Sequence, residues 1–314
     1  MIRRLSTLIA VPLLALAFAT SAQAETLRIG YQKYGTLTLL KARGDLEKRL
    51  APLGIEVKWN EFPAGPQMME GLNVGSIDFG TVGEAPPVFA QAAGADLIYV
   101  ANQPPAPRGE AILVPKGSPL RTLADLKGKK IALNKGSNVH FLLVKALERA
   151  GIPYADITPV YLPPADARAA FESGAVDAWA IWDPFFAAAQ KQLDARVITD
   201  GTDLVANLQF YLATRKYSEQ RPDVIAAIVD ELAKLDVWAA RNDQAVAELL
   251  APQIGLPVDI AKVAAGRFAY GIQPITPAVA AEQQKVADAF FNLKLIPKAI
   301  RVSDALPGKA VAAR

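Results

Sequence analysis

Two segments of the chain repeat one pattern, and this repeat constrains the fold more than any other feature of the sequence. Residues 73–86 and 172–185, offset by 99 positions, both pass from a helix end through a glycine turn into a strand, an acidic residue and a proline-started helix. Gly75 corresponds to Gly174. A glycine often ends a helix, so common ancestry of the two segments stays open. The repeat still predicts two lobes of similar architecture.

Strands and helices alternate around both segments. In the first half, the runs TLRIGYQ, IEVKWNEF, SIDFGTV and DLIYVAN predict strands, with helices between them over about 36–50, 65–73 and 85–93. Strands that alternate with helices of this length are typical of βαβ units. The sequence therefore predicts an α/β fold in which each lobe has a mostly parallel sheet flanked by helices.

Two segments are predicted to cross between the lobes. The segment QPPAPRG at 103–109 contains three prolines and cannot continue a helix or a central strand. The later strand NLQFYLATR is predicted to return to the first lobe, and the alanine-rich helices after it to pack there. We therefore predict two hinge crossings, with lobe I formed by residues 25–106 and 205–314 and lobe II by 107–204.

Residues 1–24 are predicted to be a secretory signal peptide. Arg3 and Arg4 precede an apolar run at 8–19, and an A-x-A cleavage pattern ends at Ala24. The run is too short to span a bilayer comfortably, and an N-terminal anchor is the alternative. Cleavage would remove two arginines and lower the net charge from +3 to +1. We expect a soluble mature protein in the periplasm.

The composition excludes several classes of protein. The chain has no cysteine and one histidine, so it has neither disulfides nor the usual zinc ligand sets. No basic run with interleaved aromatics indicates nucleic-acid binding. The sequence patterns of a nucleophile elbow, a phosphate loop, a dinucleotide fold and a calcium loop are all absent. We therefore predict no catalytic residues, no metal and no cofactor.

Three predicted strand ends carry small or polar residues that lead into a helix. In an open parallel sheet, ligands bind beyond the carboxyl ends of the strands, and free N–H groups at a helix start favour an anion. The segments are 32–36, which includes Gln32 and Gly35, then Gly83-Glu84-Ala85, and then Gly136-Ser137-Asn138. Each segment can instead serve only to cap its helix, since Ser and Asn are ordinary N-caps.

The segment AIWDPF at 180–185 ends a predicted strand in an unusual way. Asp183 and Pro184 fit the N-cap and the first position of the next helix. Trp182 is then left to project into the cleft, where it would form an apolar wall for an organic ligand. Glu84 occupies the place in the first lobe that corresponds to Asp183. It either caps a helix or accepts a hydrogen bond from a ligand amine.

His140 lies three residues after Ser137 in the predicted helix. From that position its ring could donate to an anion, and the alternative is an ordinary surface or core histidine. The spacing of His140 and Ser137 does not make a catalytic pair, because the first turn of a helix usually points them in different directions.

Five segments carry a resemblance to a known family. They are RIGYQK, EFPAGPQMMEGLNVGSIDFGTVGEAPPVFAQAAGADLIYV, LADLKGKKIALNKGSNVH, YLPPADARAAFESGAVDAWAIWDPF and DGTDL. With them the chain resembles the aliphatic-sulfonate-binding proteins of ABC importers, whose relatives bind taurine, nitrate or thiamine precursors. The resemblance covers nearly all of the predicted mature chain, and its middle segments are the most specific.

The resemblance implies a type II periplasmic-binding-protein fold, in which two α/β lobes close on a ligand about a hinge. It implies a monomer that holds an alkanesulfonate without a metal and delivers it to a membrane permease for sulfur uptake. The ligand-binding positions that it implies are Gln32, Gly35, Gly83, Glu84, Ala85, Ser137, Asn138, His140, Trp182 and Asp183. One departure is that Tyr34 and Leu37 make a wall bulkier than the family pattern leads us to expect.

Several other functions are alternatives to the binding and delivery of an alkanesulfonate. A sulfonate has three acceptor oxygens, which suits converging N–H donors, and its alkyl part suits Trp182. A receptor for taurine, nitrate or another small oxyanion is the alternative within transport. A carbon–sulfur hydrolase on the same fold is disfavoured by the missing cysteine and the predicted export. A sensor subunit that passes its ligand state to a signalling protein also fits the sequence.

Overall fold

The computed structural model describes residues 25–307. The predicted signal peptide at 1–24 lies outside the described residues. Within 25–307, none of the helices combines the length and the apolar character needed to cross a membrane.

The described residues form alternating strands and helices. The strands are β1 (Glu25–Tyr31), β2 (Ile55–Glu61), β3 (Phe79–Gly83), β4 (Leu97–Asn102), β5 (Glu110–Val114), β6 (Lys130–Leu133), β7 (Thr158–Tyr161), β8 (Ala178–Trp182), β9 (Arg196–Asp200) and β10 (Gln209–Thr214). The α-helices are α1 (Gly35–Arg43), α2 (Asp45–Leu50), α3 (Gly65–Asn73), α4 (Ala85–Ala93), α5 (Asn138–Arg149), α6 (Pro164–Glu172), α7 (Phe185–Gln192), α8 (Arg215–Gln220), α9 (Pro222–Ala239), α10 (Asp243–Ile254), α11 (Val258–Ala265) and α12 (Pro277–Asn292).

The two sheets have the same strand arrangement. The first has the order β2-β1-β3-β10-β4, and the second β7-β6-β8-β5-β9. In each sheet the fourth strand in this order, β10 or β5, is antiparallel to both neighbours, and the other pairings are parallel. The strands β5 and β10 are the first ones after the two predicted crossings. The predicted two-lobed α/β fold is confirmed, as two mixed sheets that each contain one reversed strand.

We call β1–β4, β10, α1–α4 and α8–α12 the first-sheet unit, and β5–β9 with α5–α7 the second-sheet unit. The segments between them lie side by side. The N–H of Gln103 donates to the carbonyl of Gln209 at 2.9 Å, and the N–H of Ala106 donates to the carbonyl of Ala206 at 3.0 Å. Because the two connections are hydrogen-bonded to each other, they form one narrow bridge between the units.

Asp78 and Asp177 also stand 99 positions apart in the two repeated segments, and they hold equivalent places in the fold. Asp78 accepts the backbone N–H of Arg28 at the β1 edge at 2.9 Å, and Asp177 accepts the N–H of Lys130 in β6 at 2.8 Å. The guanidinium of Arg28 also pairs with Asp78 at 2.7 Å. The repeat in the sequence therefore corresponds to β3 and β8 and to one hydrogen bond found in both sheets.

Some element boundaries differ from the sequence-based expectation. The helices predicted at 65–73 and 85–93 are α3 and α4 with the same bounds. The single helix predicted over 36–50 is wrong, because Gly44, with φ of +65°, ends α1 before α2 begins. Glycine adopts this left-handed conformation without steric penalty, which makes it a common helix terminator.

The C-terminal helices cover the first sheet, and two of them also contact the second-sheet unit. Side chains of α9 and α10, such as Ile228 and Leu250, pack with Leu27 of β1 in one buried cluster. Ala264 of α11 packs against Ala188 of α7, which belongs to the second-sheet unit. Phe290 of α12 shares a cluster with side chains of both α4 and α5. The units therefore meet on both flanks of the space between them.

Candidate functional site

A pocket lies between the two units and takes residues from both, as well as from the second crossing. It is lined by Gln32, Tyr34, Gly65, Gly83, Pro86, Ser137, Asn138, Trp182, Asn207 and Gln209. The space among these residues is about 370 Å³. A ligand held here would touch both units at once and would fill a narrow space.

Three helices begin at this pocket. Tyr34, Glu84 and Ser137 are the N-cap residues of α1, α4 and α5, and none of them makes a side-chain hydrogen bond to cap its helix. The Ser137 hydroxyl instead donates to the carbonyl of Asn134 at 2.7 Å. The uncapped N–H groups of α1 and α5, and the positive ends of all three helix dipoles, favour a negatively charged group in this place. The start of α4 contributes its dipole alone, because Pro86 and Pro87 have no N–H group and that of Ala85 donates to Asn138.

The lining residues carry no formal charge. Their polar side chains form a network of amides, in which Asn207 donates to the carbonyl of Ala106 at 2.8 Å and accepts from Gln209 at 3.3 Å. Gln32 donates to the carbonyl of Thr81 at 3.2 Å. Since neutral dipoles rather than cations line the space, the site suits an anion that is permanently ionised and brings no proton of its own.

Asn138 joins the two units at the floor of the pocket. Its side-chain oxygen accepts the N–H of Ala85, the first residue of α4, at 3.2 Å. Its side-chain nitrogen donates to the side-chain oxygen of Asn207 at 2.6 Å. The carboxamide lies directly over Gly83, where a Cβ atom would overlap it. The contact between the units at this point therefore requires glycine at position 83.

Trp182 lies at the end of β8 and lines the pocket from the second-sheet unit. Its ring meets Phe185 edge to face, with 6.3 Å between the ring centroids. An aromatic face next to hydrogen-bond donors can hold a ligand that has an apolar part and a charged part.

The structure does not bring all ten predicted residues to the pocket. Gln32, Gly83, Ser137, Asn138 and Trp182 line it. Gly35 begins α1 with φ of +73°, so it serves the turn into the helix, and Ala85 contributes an N–H group that Asn138 already occupies. The remaining three, Glu84, His140 and Asp183, are buried behind the lining.

Glu84 supports the second crossing. Its carboxylate accepts the N–H of Leu208 at 3.1 Å, and its carbonyl accepts from Gln283 at 2.6 Å. Burial raises the pKa of Glu84 to about 7, although the N–H groups near Leu208 act in the opposite direction. The sequence left open whether Glu84 caps a helix or accepts a hydrogen bond from a ligand amine. A contact with a ligand amine does not fit the observed orientation of the side chain.

His140 faces away from the pocket, and both of its ring nitrogens have other partners. Its Nδ1 accepts the N–H of Gly136 at 3.1 Å, and its Nε2 meets the Tyr154 hydroxyl at 2.9 Å. Because Nδ1 accepts, the proton of the neutral ring is on Nε2. Burial lowers the pKa of His140 to about 3, so the ring stays neutral and shapes the loop before α5.

Asp183 is fully buried. The sequence predicts it as the N-cap of α7, but its carboxylate also reaches a residue of the first-sheet unit. The helix begins at Phe185, so Pro184 rather than Asp183 is the N-cap residue, and the predicted cap is wrong by one position. The Asp183 carboxylate accepts the N–H of Ala187 at 3.0 Å and pairs with Arg267 at 3.3 Å. Burial raises the pKa of Asp183 to about 7, although Arg267 and Ala187 oppose this shift.

The sequence does not predict several of the lining residues, namely Gly65, Pro86, Asn207 and Gln209. It predicts Tyr34 only as part of a bulky wall. The positions of Asn207 and Gln209 at the start of the returning strand could have been used to predict them. A strand that returns after a crossing is antiparallel to its neighbours, so its beginning lies at the edge where their carboxyl ends lie. Polar residues at the start of β10 therefore lie at the edge of the sheet where the ligand is expected. In the part of the chain that the structure describes, no cluster of His, Asp or Glu could hold a metal ion.

Arg267 closes the outer side of this region and supports a first prediction. It follows α11 in the first-sheet unit, lies 4.0 Å from the ring centroid of Phe186, and donates to Gln190 at 2.6 Å as well as pairing with Asp183. All three partners belong to the second-sheet unit. The pair can therefore form only when the units meet.

We expect Arg267→Gln to weaken ligand binding by about tenfold, because the closed state alone loses a buried charge-assisted contact. The melting temperature of the ligand-free protein should change little. Arg215→Gln is the matched control, since Arg215 pairs with Asp96 inside one unit at 2.6 Å. Calorimetric titration of both variants tests this, and equal affinities for Arg267→Gln and the parent would contradict it.

The chain matches the NMT1-like family over residues 20–253. A relative from Escherichia coli (strain K12), named as an aliphatic sulfonates-binding protein, is 49% identical over 289 residues, which are 91% of this chain and 90% of that protein.

Solved structures agree with the fold. The alkanesulfonate-binding protein SsuA from Xanthomonas axonopodis pv. citri, bound to MOPS, is 44% identical with a TM-score of 0.87, over 91% of this chain and 99% of that one. The periplasmic aliphatic sulphonate binding protein SsuA from Escherichia coli is 47% identical with a TM-score of 0.82, over 90% and 92%. A desulfurization enzyme at 18% identity and a TM-score of 0.66, over 91% and 97%, shares the fold alone.

Proposed function

Because the chain belongs to the NMT1-like family and, within it, to the aliphatic-sulfonate-binding proteins of ABC importers, we propose that it captures aliphatic sulfonates between its two units and delivers them to a membrane permease for sulfur uptake. The observation that carries this proposal is the pocket itself. Uncharged donors and three helix starts converge on a narrow space that both units enclose.

The chemistry of a sulfonate fits these donors. A sulfonate stays ionised throughout the physiological pH range and has three acceptor oxygens. Gln32, Asn207 and Gln209 offer side-chain amides around the space, and the start of α5 adds backbone N–H groups.

An organic ligand is favoured over an inorganic oxyanion. Tyr34, Pro86 and Trp182 give the pocket apolar surface that nitrate or sulfate would leave unused. Catalysis is disfavoured because the close relatives are binding proteins and this chain has no cysteine nucleophile.

We also propose the cellular setting and the motion. The signal peptide at 1–24 is removed near Ala24, and the mature protein acts in the periplasm as a monomer. Residues 25–106 with 205–314 form one lobe and 107–204 the other, and they close about the paired crossings. Contacts such as that of Asn138 with Ala85 form only on closure, so a ligand that touches both lobes shifts the population toward the closed state.

Calorimetric titration of the refolded mature protein tests the ligand class. The buffer contains neither phosphate nor a sulfonate, and the panel is methanesulfonate, butanesulfonate, octanesulfonate, taurine, nitrate and sulfate. We expect at least one alkanesulfonate to bind in the micromolar range or tighter, and nitrate and sulfate to bind at least a hundredfold more weakly. Binding of nitrate or sulfate alone would assign the site to an inorganic anion, and binding of none would overturn the proposal.

A further inference from the structure

Tyr34 holds a special place among the lining residues. It enters the pocket from the first-sheet unit, immediately before α1, whereas Trp182 enters from the second-sheet unit. These two are the aromatic residues of the lining. The organic part of a ligand whose charged group faces the start of α5 is therefore left to contact one aromatic ring from each unit.

The Tyr34 ring is held in place by its surroundings. It is 9% exposed, and it meets Phe268 at an angle of 67° with 4.6 Å between the ring centroids. Its hydroxyl reaches the first crossing, 3.7 Å from the place of a Cβ at Gly109. The ring therefore spans from the start of α1 to the hinge and cannot turn aside unless Phe268 moves as well.

The backbone of Tyr34 is fixed too. Its N–H donates to the carbonyl of Gln32 at 2.7 Å, and its carbonyl accepts from the Thr38 hydroxyl at 3.0 Å. Leu37 is predicted to form a bulky wall together with Tyr34. In the structure it is fully buried in the core of the first-sheet unit and does not line the pocket. The bulk that this segment presents to a ligand is therefore that of Tyr34 alone.

We propose that Tyr34 determines which sulfonates the protein accepts. This inference rests on the proposed function and names its ligand class more narrowly: short-chain alkanesulfonates. The fixed ring forms one wall of the space that is left for the organic part of the ligand. Chains that fit between Tyr34 and Trp182 gain affinity, by about fourfold for each buried methylene, and longer chains lose it because they displace a packed ring.

The test compares chain-length profiles by calorimetric titration with methanesulfonate, butanesulfonate and octanesulfonate. We expect the parent protein to bind butanesulfonate more tightly than octanesulfonate. Tyr34→Ala should reverse this order and raise the ratio of octanesulfonate to methanesulfonate affinity at least tenfold. Tyr34→Phe, which keeps the ring, is the matched control and should retain the parental order. An unchanged order in Tyr34→Ala, or the same reversal in Tyr34→Phe, would overturn the proposal.

A second variant covers the case in which Tyr34→Ala does not fold. Phe268 does not line the pocket, so Phe268→Leu loosens the wall while Tyr34 stays in place. We expect it to shift the profile in the same direction as Tyr34→Ala by about threefold, and an unchanged profile would count against a fixed wall. If the parent protein binds no sulfonate, the proposed function fails and this inference with it. If it binds sulfonates and Tyr34→Ala leaves their order unchanged, only this inference fails.

Discussion

Replacement of Gly83 by alanine is expected to weaken ligand binding at least a hundredfold while both units remain folded. A Cβ at position 83 would overlap the Asn138 carboxamide, and the three atoms nearest to it all belong to that side chain. Asn138 lies in the other unit and is hydrogen-bonded to Ala85 and Asn207. Since protein interiors do not absorb an overlap of this size, the added methyl group should keep the units apart.

The separated units give this prediction a distinct signature. Scattering should show that ligand no longer reduces the radius of gyration of Gly83→Ala, although its melting temperature stays near the parental value. Gly117→Ala is the matched control, because no atom lies within 4 Å of a Cβ at Gly117. Adding Asn138→Ala to Gly83→Ala removes the overlapping atoms and should restore ligand-induced compaction. Parental affinity in the single variant would show that closure does not need the contact between Asn138 and Gly83.

Replacement of Glu110 by glutamine is expected to stabilise the protein, and increasingly so as the pH rises. Glu110 begins β5 next to the first crossing and is fully buried. Neither oxygen of its carboxyl group has a hydrogen-bond partner among residues 25–307. Burial raises the pKa of Glu110 well above its ordinary value, and the charge of Glu84 adds to the shift. The folded protein therefore retains the proton of this carboxyl group to a higher pH than the unfolded chain does.

The sign of the pH dependence follows from that proton. The carboxyl group of the unfolded chain loses this proton above a pH of about 4.5. Above that pH, folding requires the uptake of one proton, and the free-energy cost of this uptake rises by about 1.4 kcal/mol per pH unit. The contribution of Glu110 to stability is thus full below the unfolded pKa and is lost as the pH rises toward the folded pKa. Glutamine has a similar shape and no such proton, so its advantage over glutamate should be small at pH 5 and should grow between pH 5 and pH 8.

Urea unfolding at pH 5, 6.5 and 8 measures this difference. Asp183 also has a raised pKa and His140 a lowered one, but these groups are common to both proteins and largely cancel in the comparison. Glu84, whose charge acts on Glu110, is part of the measured difference. Glu56→Gln, at an exposed position in β2, is the control and should run parallel to the parent. Parallel profiles for Glu110→Gln would show that the carboxyl group is ionised in the folded state and has found a partner.

Local signals in the sequence predicted much of the architecture. Period-two and helical patterns predicted β1, α3 and α4, and three prolines marked the first crossing, because these features depend on the neighbouring residues alone. Thr276 and Pro277 begin α12, and the Thr276 hydroxyl accepts the N–H of Val279 at 3.2 Å. The failures were also local in origin: Gly44 divided a predicted helix, and α7 began one residue after the expected position.

The candidate site was predicted only in part. Strand ends that lead into helix starts pointed to Gly83, Ser137 and Asn138, because the fold rule places such ends at one edge of a sheet. The same rule could not tell which side chains at that edge face the pocket. His140 lies one helical turn from Ser137 yet turns toward Tyr154, and Glu84 turns toward the second crossing. Those directions depend on residues distant in the sequence.

The sequence by itself determined two lobes, two crossings and a family, and it predicted an export signal, since each of these depends on adjacent residues or on a repeat along the chain. Only the tertiary structure decided that Asn138 lies over Gly83, that Arg267 reaches Asp183 and that Tyr34 rather than Leu37 faces the pocket. The physical reason is that these contacts join segments 55 or more residues apart, or depend on how a packed side chain such as Phe268 fixes its neighbour.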